Sequence, residues 1–192
     1  MSSNKVIEDA INDHINVAND LLKDPQQIAN AVSMVIDTFR NSHKLILAGN
    51  GGSAADAQHW AAEWVIRLTH NLDRPAMPAI ALTTDSSILT AGANDIGYDN
   101  VFARQLEALG QEGDLFIAIS TSGNSENLLR ASKVAKEKNI RILGILGKDG
   151  GKQLALCDEA VIAPSGNTQR IQEMHIIIGH LLCELSEKAL YE

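Results

Sequence analysis

Five short apolar runs, separated by stretches with helical spacing, most constrain what this chain can fold into. The runs are continuous rather than alternating, which is typical of strands covered on both faces of a parallel sheet. They lie at 44–49, 78–82, 114–120, 141–147 and 159–163. Strand–helix alternation with short connections indicates right-handed crossovers. The sequence therefore predicts an α/β fold with a five-stranded parallel sheet sandwiched between helices.

Helical spacing accounts for most of the remaining chain. The first forty residues predict two helices, with Ile7, Ile11 and Ile15 on one face of the first. Asp24 and Pro25 are expected as the N-cap and the first residue of the second helix. Further helices are predicted near 53–68, 86–93, 99–109, 125–138, 151–156 and 168–190.

The predicted last helix is apolar on nearly every side, so it must bury more than one flank. Together with the leading helical pair, residues 1–42, it indicates packing between subunits. We expect residues 1–192 to form one domain of a homo-oligomer. Within this helix, His175 is expected to be a hydrogen-bonded core or interface residue, and Glu173 to pair with Arg170 or with a neighbouring helix.

Composition excludes several classes of protein. With 192 residues, 45% of them hydrophobic, the chain can build a sizeable core, and it contains no run long enough to span a membrane. The first residues, MSSNKVIEDAIND, do not resemble a signal peptide, and two scattered cysteines are typical of a reducing cytoplasm. A net charge of −8 argues against direct nucleic-acid binding.

Two strand-to-helix turns have the composition of binding loops. The first, GNGGSAADAQH, covers 49–59, and the second, STSGNSEN, covers 120–127. Ligands of open parallel sheets bind beyond the carboxyl ends of the strands, where such turns gather. Neither loop contains Lys or Arg, so we expect a bound phosphate to be held by backbone amides and by hydroxyls.

The first loop also fits the dinucleotide fingerprint G-x-G-x-x-A between Gly49 and Ala54. That fingerprint requires an acidic residue about twenty positions on, at the end of the next strand. The next predicted strand starts only at Pro78, and the first acid past its end is Asp85. A nucleotide site is therefore not favoured.

His59 and Glu63 follow the first loop at i and i+4, so they share one helix face. Such a pair is usually a surface ion pair. Here it lies about two turns into the helix that opens at the predicted site. A His and a carboxylate at this spacing can bind one metal ion, and the carboxylate can move a proton.

The motifs GNGGSAADAQH, ISTSGNS and RIQEMHIIIGH, together with Glu63, resemble those of the phosphoheptose isomerases, members of the sugar-isomerase (SIS) domain superfamily with a flavodoxin-like fold. The resemblance runs from about residue 44 to 190. It implies a cytoplasmic, tetrameric, zinc-dependent enzyme that interconverts sedoheptulose 7-phosphate and D-glycero-D-manno-heptose 7-phosphate, the first step toward the ADP-heptose of lipopolysaccharide. The chain departs from some members at Gln169, where they have Asp.

Residue by residue, the resemblance implies one zinc ion per subunit with the ligands His59, Glu63, Gln172 and His180. Glu63 and His180 would form the acid–base pair, and Glu63 and Gln172 would also contact the substrate. Further contacts with the sugar phosphate are implied for Asn50, Gly51, Gly52, Ser53, Arg67, Asn94, Asp95, Ser120, Thr121, Ser122 and Ser125.

Helix geometry adds an expectation about assembly. Gln172 and His180 are eight residues apart, about 12 Å along the axis of an unbroken helix. Zinc holds its ligands at about 2 Å. One of the two ligands is therefore expected from a neighbouring chain, which places the site at a subunit interface.

A second function remains open at this point. Some SIS-domain relatives are non-catalytic adaptors that bind the replication initiator DnaA. An adaptor is free to lose the metal and acid–base residues, whereas this chain keeps the whole set. The sequence therefore favours the isomerase, whose enediol chemistry needs a base near two carbon atoms and a group that polarises their oxygens.

Overall fold

A computed structural model describes residues 3–192, and within them all five predicted strands form one parallel sheet. Their order across the sheet is β2-β1-β3-β4-β5. The strands are β1 Leu45–Gly49, β2 Ala79–Ala81, β3 Leu115–Ser120, β4 Arg141–Gly147 and β5 Glu159–Ala163. The chain order reverses between β1 and β3, so the crevice for a ligand lies beyond the carboxyl ends of these two strands.

Helices cover both faces of the sheet. They are α1 Ser3–Leu21, α2 Gln26–Arg40, α3 Gly52–Val65, α4 Ser86–Asp95, α5 Val101–Leu109, α6 Glu126–Glu137, α7 Gly151–Leu154 and α8 Thr168–Tyr191, with a 3-10 turn at Tyr98–Asn100. Side chains alternate across the strands, so Leu47 packs with α2, α3 and α8, whereas Ile46 packs with α5 and α6.

The start of α2 corrects one prediction. Pro25, not Asp24, is the N-cap residue, and its main-chain oxygen accepts hydrogen bonds from the amides of Ile28 and Ala29. Among residues 3–192, no side chain caps the N-terminus of α2. The helix is instead held by its buried face, which includes Val32 and Val35.

Helix α8 is buried on one side and partly exposed on another. Ile171, Ile178 and Leu182 are fully buried, while Ile177 and Leu185 keep 36% and 38% of their surface. The outer stripe of α1, with Ile7, Ile11 and Ile15, is about half exposed. These apolar flanks are where the predicted subunit packing would occur.

None of the helices within residues 3–192 combines the length and the apolar character that a membrane crossing requires.

Candidate active site

The two predicted loops lie side by side because β1 and β3 are paired, with Gly49 opposite Ile119. Asn50 and Asn127 join them by two reciprocal hydrogen bonds, of 3.0 Å from Asn50 Nδ2 and 2.8 Å from Asn127 Nδ2. The Tyr98 hydroxyl also donates to Asn50 Oδ1, at 3.2 Å. The sequence reasoning did not identify Asn127 or Tyr98 as site residues.

The second loop presents its hydroxyl groups around a tight turn. Buried Ser120 accepts a hydrogen bond from the amide of Gly123, and Ser122 accepts one from the amide of Asn124. Thr121 and Ser125 are half-buried, and Ser125 immediately precedes α6. Within the described chain Ser125 makes no side-chain cap, and the Leu128 amide bonds Asn127 Oδ1. The amides of Glu126 and Asn127 at the start of α6 are therefore the ones that can bind an anion.

The first loop passes directly beneath Gln172 of α8. A Cβ at Gly52 would lie 2.3 Å from Gln172 Nε2, so the amide of Gln172 would have to move to admit a side chain there. Gly51, with a φ of 56°, turns the chain into α3. Buried Ser53 lies in the first turn of that helix. The predicted substrate residues of this loop are thus next to the predicted ligand Gln172.

Asp56, one turn along α3, lines the same open cavity as Gly52 and Gln172. It is 8% exposed, and its Oδ2 has no hydrogen-bond partner among residues 3–192. Burial raises the pKa of this carboxyl from 3.8 to about 6, opposed by the charge of nearby His59. The sequence reasoning missed Asp56, although a carboxylate three residues before His59 shares its side of the helix.

His59 lies between the two residues predicted to form the acid–base pair. The Nε2 atoms of His59 and His180 are 2.9 Å apart, so one ring donates a hydrogen bond to the other. The Nδ1 atom of His59 lies 3.5 Å from Oε1 of Glu63. One chain therefore brings His59, Glu63 and His180 together where α3 packs on α8.

The donor chemistry of this cluster suits zinc, which binds imidazoles and carboxylates. Two nitrogens bound tetrahedrally to one zinc ion lie about 3.3 Å apart, close to the 2.9 Å between the two histidines. His59 directs its second nitrogen to Glu63, however. As the side chains lie, residues 3–192 contain no group of three or more His, Cys, Asp or Glu placed to hold a metal ion.

Gln172 does not join this cluster within the chain. It lies against Gly52 at the start of α3, about 12 Å along α8 from His180. Three of the four predicted ligands are therefore together, and the fourth is at the other end of the same helix pair.

Three other predicted substrate residues lie at the surface. Arg67 is exposed just beyond the end of α3, and Asn94 and Asp95 are exposed at the end of α4. The Asn94 amide donates to Asp95 Oδ1 at 2.7 Å. Within the part of the chain that the structure describes, none of the three hydrogen-bonds to either loop.

The remaining polar residues of α8 have structural partners. His175 is fully buried, and its Nε2 lies 3.0 Å from the carbonyl oxygen of Leu146, which confirms it as a core histidine. Glu173 contacts both Arg170, at 2.6 Å, and His14 of α1, at 2.8 Å. Both partners left open by the sequence are thus used.

Arg74 is a further residue that the sequence reasoning missed. Its guanidinium is fully buried and donates to the carbonyl oxygens of Glu63 and Trp64, both at 2.8 Å. It also pairs with Glu187 of α8, which is itself buried. Arg74 therefore links the end of α3, where Glu63 lies, to α8.

Comparison with known proteins gives concordant results. The model of the SIS domain family matches residues 10–147. A phosphoheptose isomerase from Aneurinibacillus thermoaerophilus is 50% identical over 191 residues, 98% of this chain and 96% of that protein. The structure of a phosphoheptose isomerase from Francisella tularensis superposes with a TM-score of 0.94 at 33% identity, covering 98% of this chain and all of that one. That of phosphoheptose isomerase GmhA from Neisseria gonorrhoeae gives 0.91 at 36% identity, covering 97% and 100%.

The fold, with its paired loops beyond β1 and β3, is that of a sugar-isomerase domain, and the chain belongs to the SIS family. Within this family, identities of 50% over 191 residues and 51% over 188 residues place the chain among the phosphoheptose isomerases. It is an aldose–ketose isomerase, and the non-catalytic adaptor is not favoured.

Proposed function

We propose that the chain interconverts sedoheptulose 7-phosphate and D-glycero-D-manno-heptose 7-phosphate, the first step toward ADP-heptose for lipopolysaccharide. One observation carries the proposal: Glu63, His59 and His180 of one chain meet in a single cluster where α3 packs on α8. The names and near-full-length identity of the relatives support the choice of substrate. We further propose that the enzyme acts in the cytoplasm.

The reaction moves one proton between C1 and C2 through an enediol. Glu63 is half-buried and ionised when it acts as the base, taking the proton from one carbon and returning it to the other. A second proton must move between the oxygens on C1 and C2. His180 is suited to this transfer because an imidazole can both donate and accept a proton near neutral pH, and its edge-to-face contact with the His59 ring fixes its orientation.

The phosphate group would bind at the second loop. Thr121, Ser122 and Ser125 present hydroxyls there, and the first amides of α6 supply a positive field. The paired amides of Asn50 and Asn127 keep the first loop alongside. The sugar carbons would then extend from the phosphate past the first loop toward Gln172, which lies against Gly52.

By their donor chemistry, His59, Glu63 and His180 of one chain would hold one zinc ion per subunit. Gln172 would come from a neighbouring subunit, because its own chain holds it at the other end of α8. The bound ion would polarise the carbonyl oxygen of the sugar.

The proposed assembly is a homotetramer with sites at subunit interfaces. In a two-fold interface each residue of a pair contacts its counterpart on the other chain reciprocally. A two-fold axis crossing α8 near Ile176 lies midway between Gln172 and His180. It would bring Gln172 of the partner subunit level with His180, across the apolar flank that includes Ile177.

The test is a turnover assay with sedoheptulose 7-phosphate, run with zinc, beside a binding assay with purified DnaA. Formation of the heptose phosphate without DnaA binding supports the isomerase. DnaA binding without turnover would replace it with the adaptor function.

A further inference from the structure

Trp60 of α3 and Gly179 of α8 approach one another more closely than a side chain at 179 permits. A Cβ at Gly179 would lie 2.0 Å from Cε2 of Trp60 and 2.2 Å from its Nε1, whereas real Cβ contacts essentially never fall below 3.0 Å. The indole is fully buried, so it cannot swing away into solvent. Any side chain at 179 must therefore push the two helices apart.

This contact adjoins the reacting groups on both helices. Trp60 directly follows His59, and Gly179 directly precedes His180. The two imidazoles, 2.9 Å apart, are thus held by the same packing contact. One turn further on, the Trp64 indole donates to the Ser186 hydroxyl at 3.1 Å, so the two helices stay in register beyond it.

The size of the indole matters more than its polarity. The Nε1 atom of Trp60 is buried without a hydrogen-bond partner among residues 3–192, and an unpaired buried donor costs stability. Phenylalanine would avoid this cost but would leave the space opposite Gly179 empty. The large ring and the missing side chain are complementary in volume.

We propose that Trp60 and Gly179 form a size-matched pair that positions His59 against His180 for catalysis. This inference depends on the proposed function only because that function assigns His59 and His180 their catalytic roles. Restoring a 3.0 Å contact after a methyl is added at 179 requires a shift of at least 1.0 Å, the difference from 2.0 Å. A hydrogen bond of 2.9 Å does not survive such a shift.

Three variants test the pair: Gly179→Ala, Trp60→Phe and the double variant. A 1 Å misplacement of catalytic groups costs about 10²-fold in rate, so Gly179→Ala should lower kcat by about this factor and leave KM nearly unchanged. The smaller ring makes room for the methyl group. The double variant should therefore recover most of the lost kcat, beyond what either single change predicts.

A spectroscopic readout separates positioning from activity. The imidazole ¹⁵N signals of His59 and His180 in the full chain, recorded without and with zinc, report the contact between the rings. They should change in Gly179→Ala and return toward wild type in the double variant. If wild-type protein fails to turn over sedoheptulose 7-phosphate, the proposed function fails, while these signals still decide the positioning role.

Gly144→Ala is the matched control. Gly144 lies in β4, a strand that carries no candidate site residue. Its new Cβ would lie 2.7 Å from Sγ of Cys157. It should lower the melting temperature and leave kcat and both histidine signals unchanged.

Wild-type kcat and unchanged signals in folded Gly179→Ala would overturn the proposal, as would a double variant no better than Gly179→Ala. If Gly179→Ala does not fold, Trp60→Phe decides the matter. Without the indole the helices lose their spacer, so unaltered signals and kcat in Trp60→Phe would also overturn the proposal.

Discussion

His175 is a neutral base enclosed in the core. Burial lowers the pKa of its imidazole from 6.5 to about 4, opposed by the hydrogen bond to the Leu146 carbonyl oxygen. Because Nε2 donates this bond, Nδ1 carries no proton, and it has no partner among residues 3–192. The residue is a structural element of α8 rather than a part of the acid–base machinery.

The stability of the protein should therefore depend on pH through His175. Its folded-state pKa lies below its unfolded value, so its contribution is present above pH 6.5 and is lost as pH falls toward 4. At 1.36 kcal/mol per pKa unit, the loss is up to about 3 kcal/mol. Urea unfolding of wild type and His175→Gln across this range measures it. A constant difference between the two proteins would contradict this account.

Thr121 should contribute to phosphate binding through its hydroxyl. Thr121→Ala is expected to raise KM for the sugar phosphate, with a loss of binding of about 1.5–3 kcal/mol, as for hydrogen bonds to charged groups. Inhibition by inorganic phosphate should weaken in parallel. Ser33→Ala is the control, because that hydroxyl bonds the Ala29 carbonyl oxygen on the exposed side of α2. Equal KM values in both variants would place the phosphate elsewhere.

At the scale of elements, the buried pair of Arg74 and Glu187 holds α3, the loop after it and α8 together. Breaking a buried pair strands a charge and costs about 3–5 kcal/mol. Arg74→Met should destabilise the protein by this amount, and adding Glu187→Met should recover much of it. Chemical unfolding provides the measurement.

An exposed pair supplies the comparison for Arg74. Arg104 and Glu107 keep 67% and 50% of their side-chain surface. Arg104→Met should therefore change stability by less than about 1 kcal/mol. If Arg74→Met lowers the free energy of unfolding no more than Arg104→Met does, the buried pair does not hold α3 and α8 together.

The elements were largely predictable because their signals are local. Continuous apolar runs such as 141–147 correspond to strands with the predicted bounds, here Arg141–Gly147. The pairing of His59 with Glu63 follows from their spacing of four residues. Asn127, Arg74 and Trp60 were missed because their partners lie 77, 113 and 119 residues away, at Asn50, Glu187 and Gly179. A hydrophobic pattern read over a short stretch of sequence does not specify contacts between residues so far apart.

At the scale of the whole molecule, subunit sharing can be tested by mixing inactive variants. In the proposed two-fold arrangement each site takes Glu63 and His180 from one chain and Gln172 from the other. Mixing Glu63→Gln with Gln172→Ala subunits then creates one intact site in every hybrid pair. Random pairing predicts recovery of about a quarter of wild-type activity.

Mixing Glu63→Gln with His180→Ala subunits is the control for this experiment. Because both residues contact His59 in one chain, each site of a hybrid pair keeps a lesion and activity should not return. Recovery in the control mixture, or none in the first, would contradict the shared site.

In the proposed reaction, Glu63 moves the proton between C1 and C2. The most direct measurement is the rate at which solvent deuterium enters C2 of the heptose phosphate when the enzyme converts sedoheptulose 7-phosphate in D₂O. Glu63→Gln should slow this rate by about 10²–10⁴-fold, the usual cost of losing a general base, while its melting temperature stays at the wild-type value. A folded Glu63→Gln variant that incorporates deuterium at the wild-type rate would contradict the account.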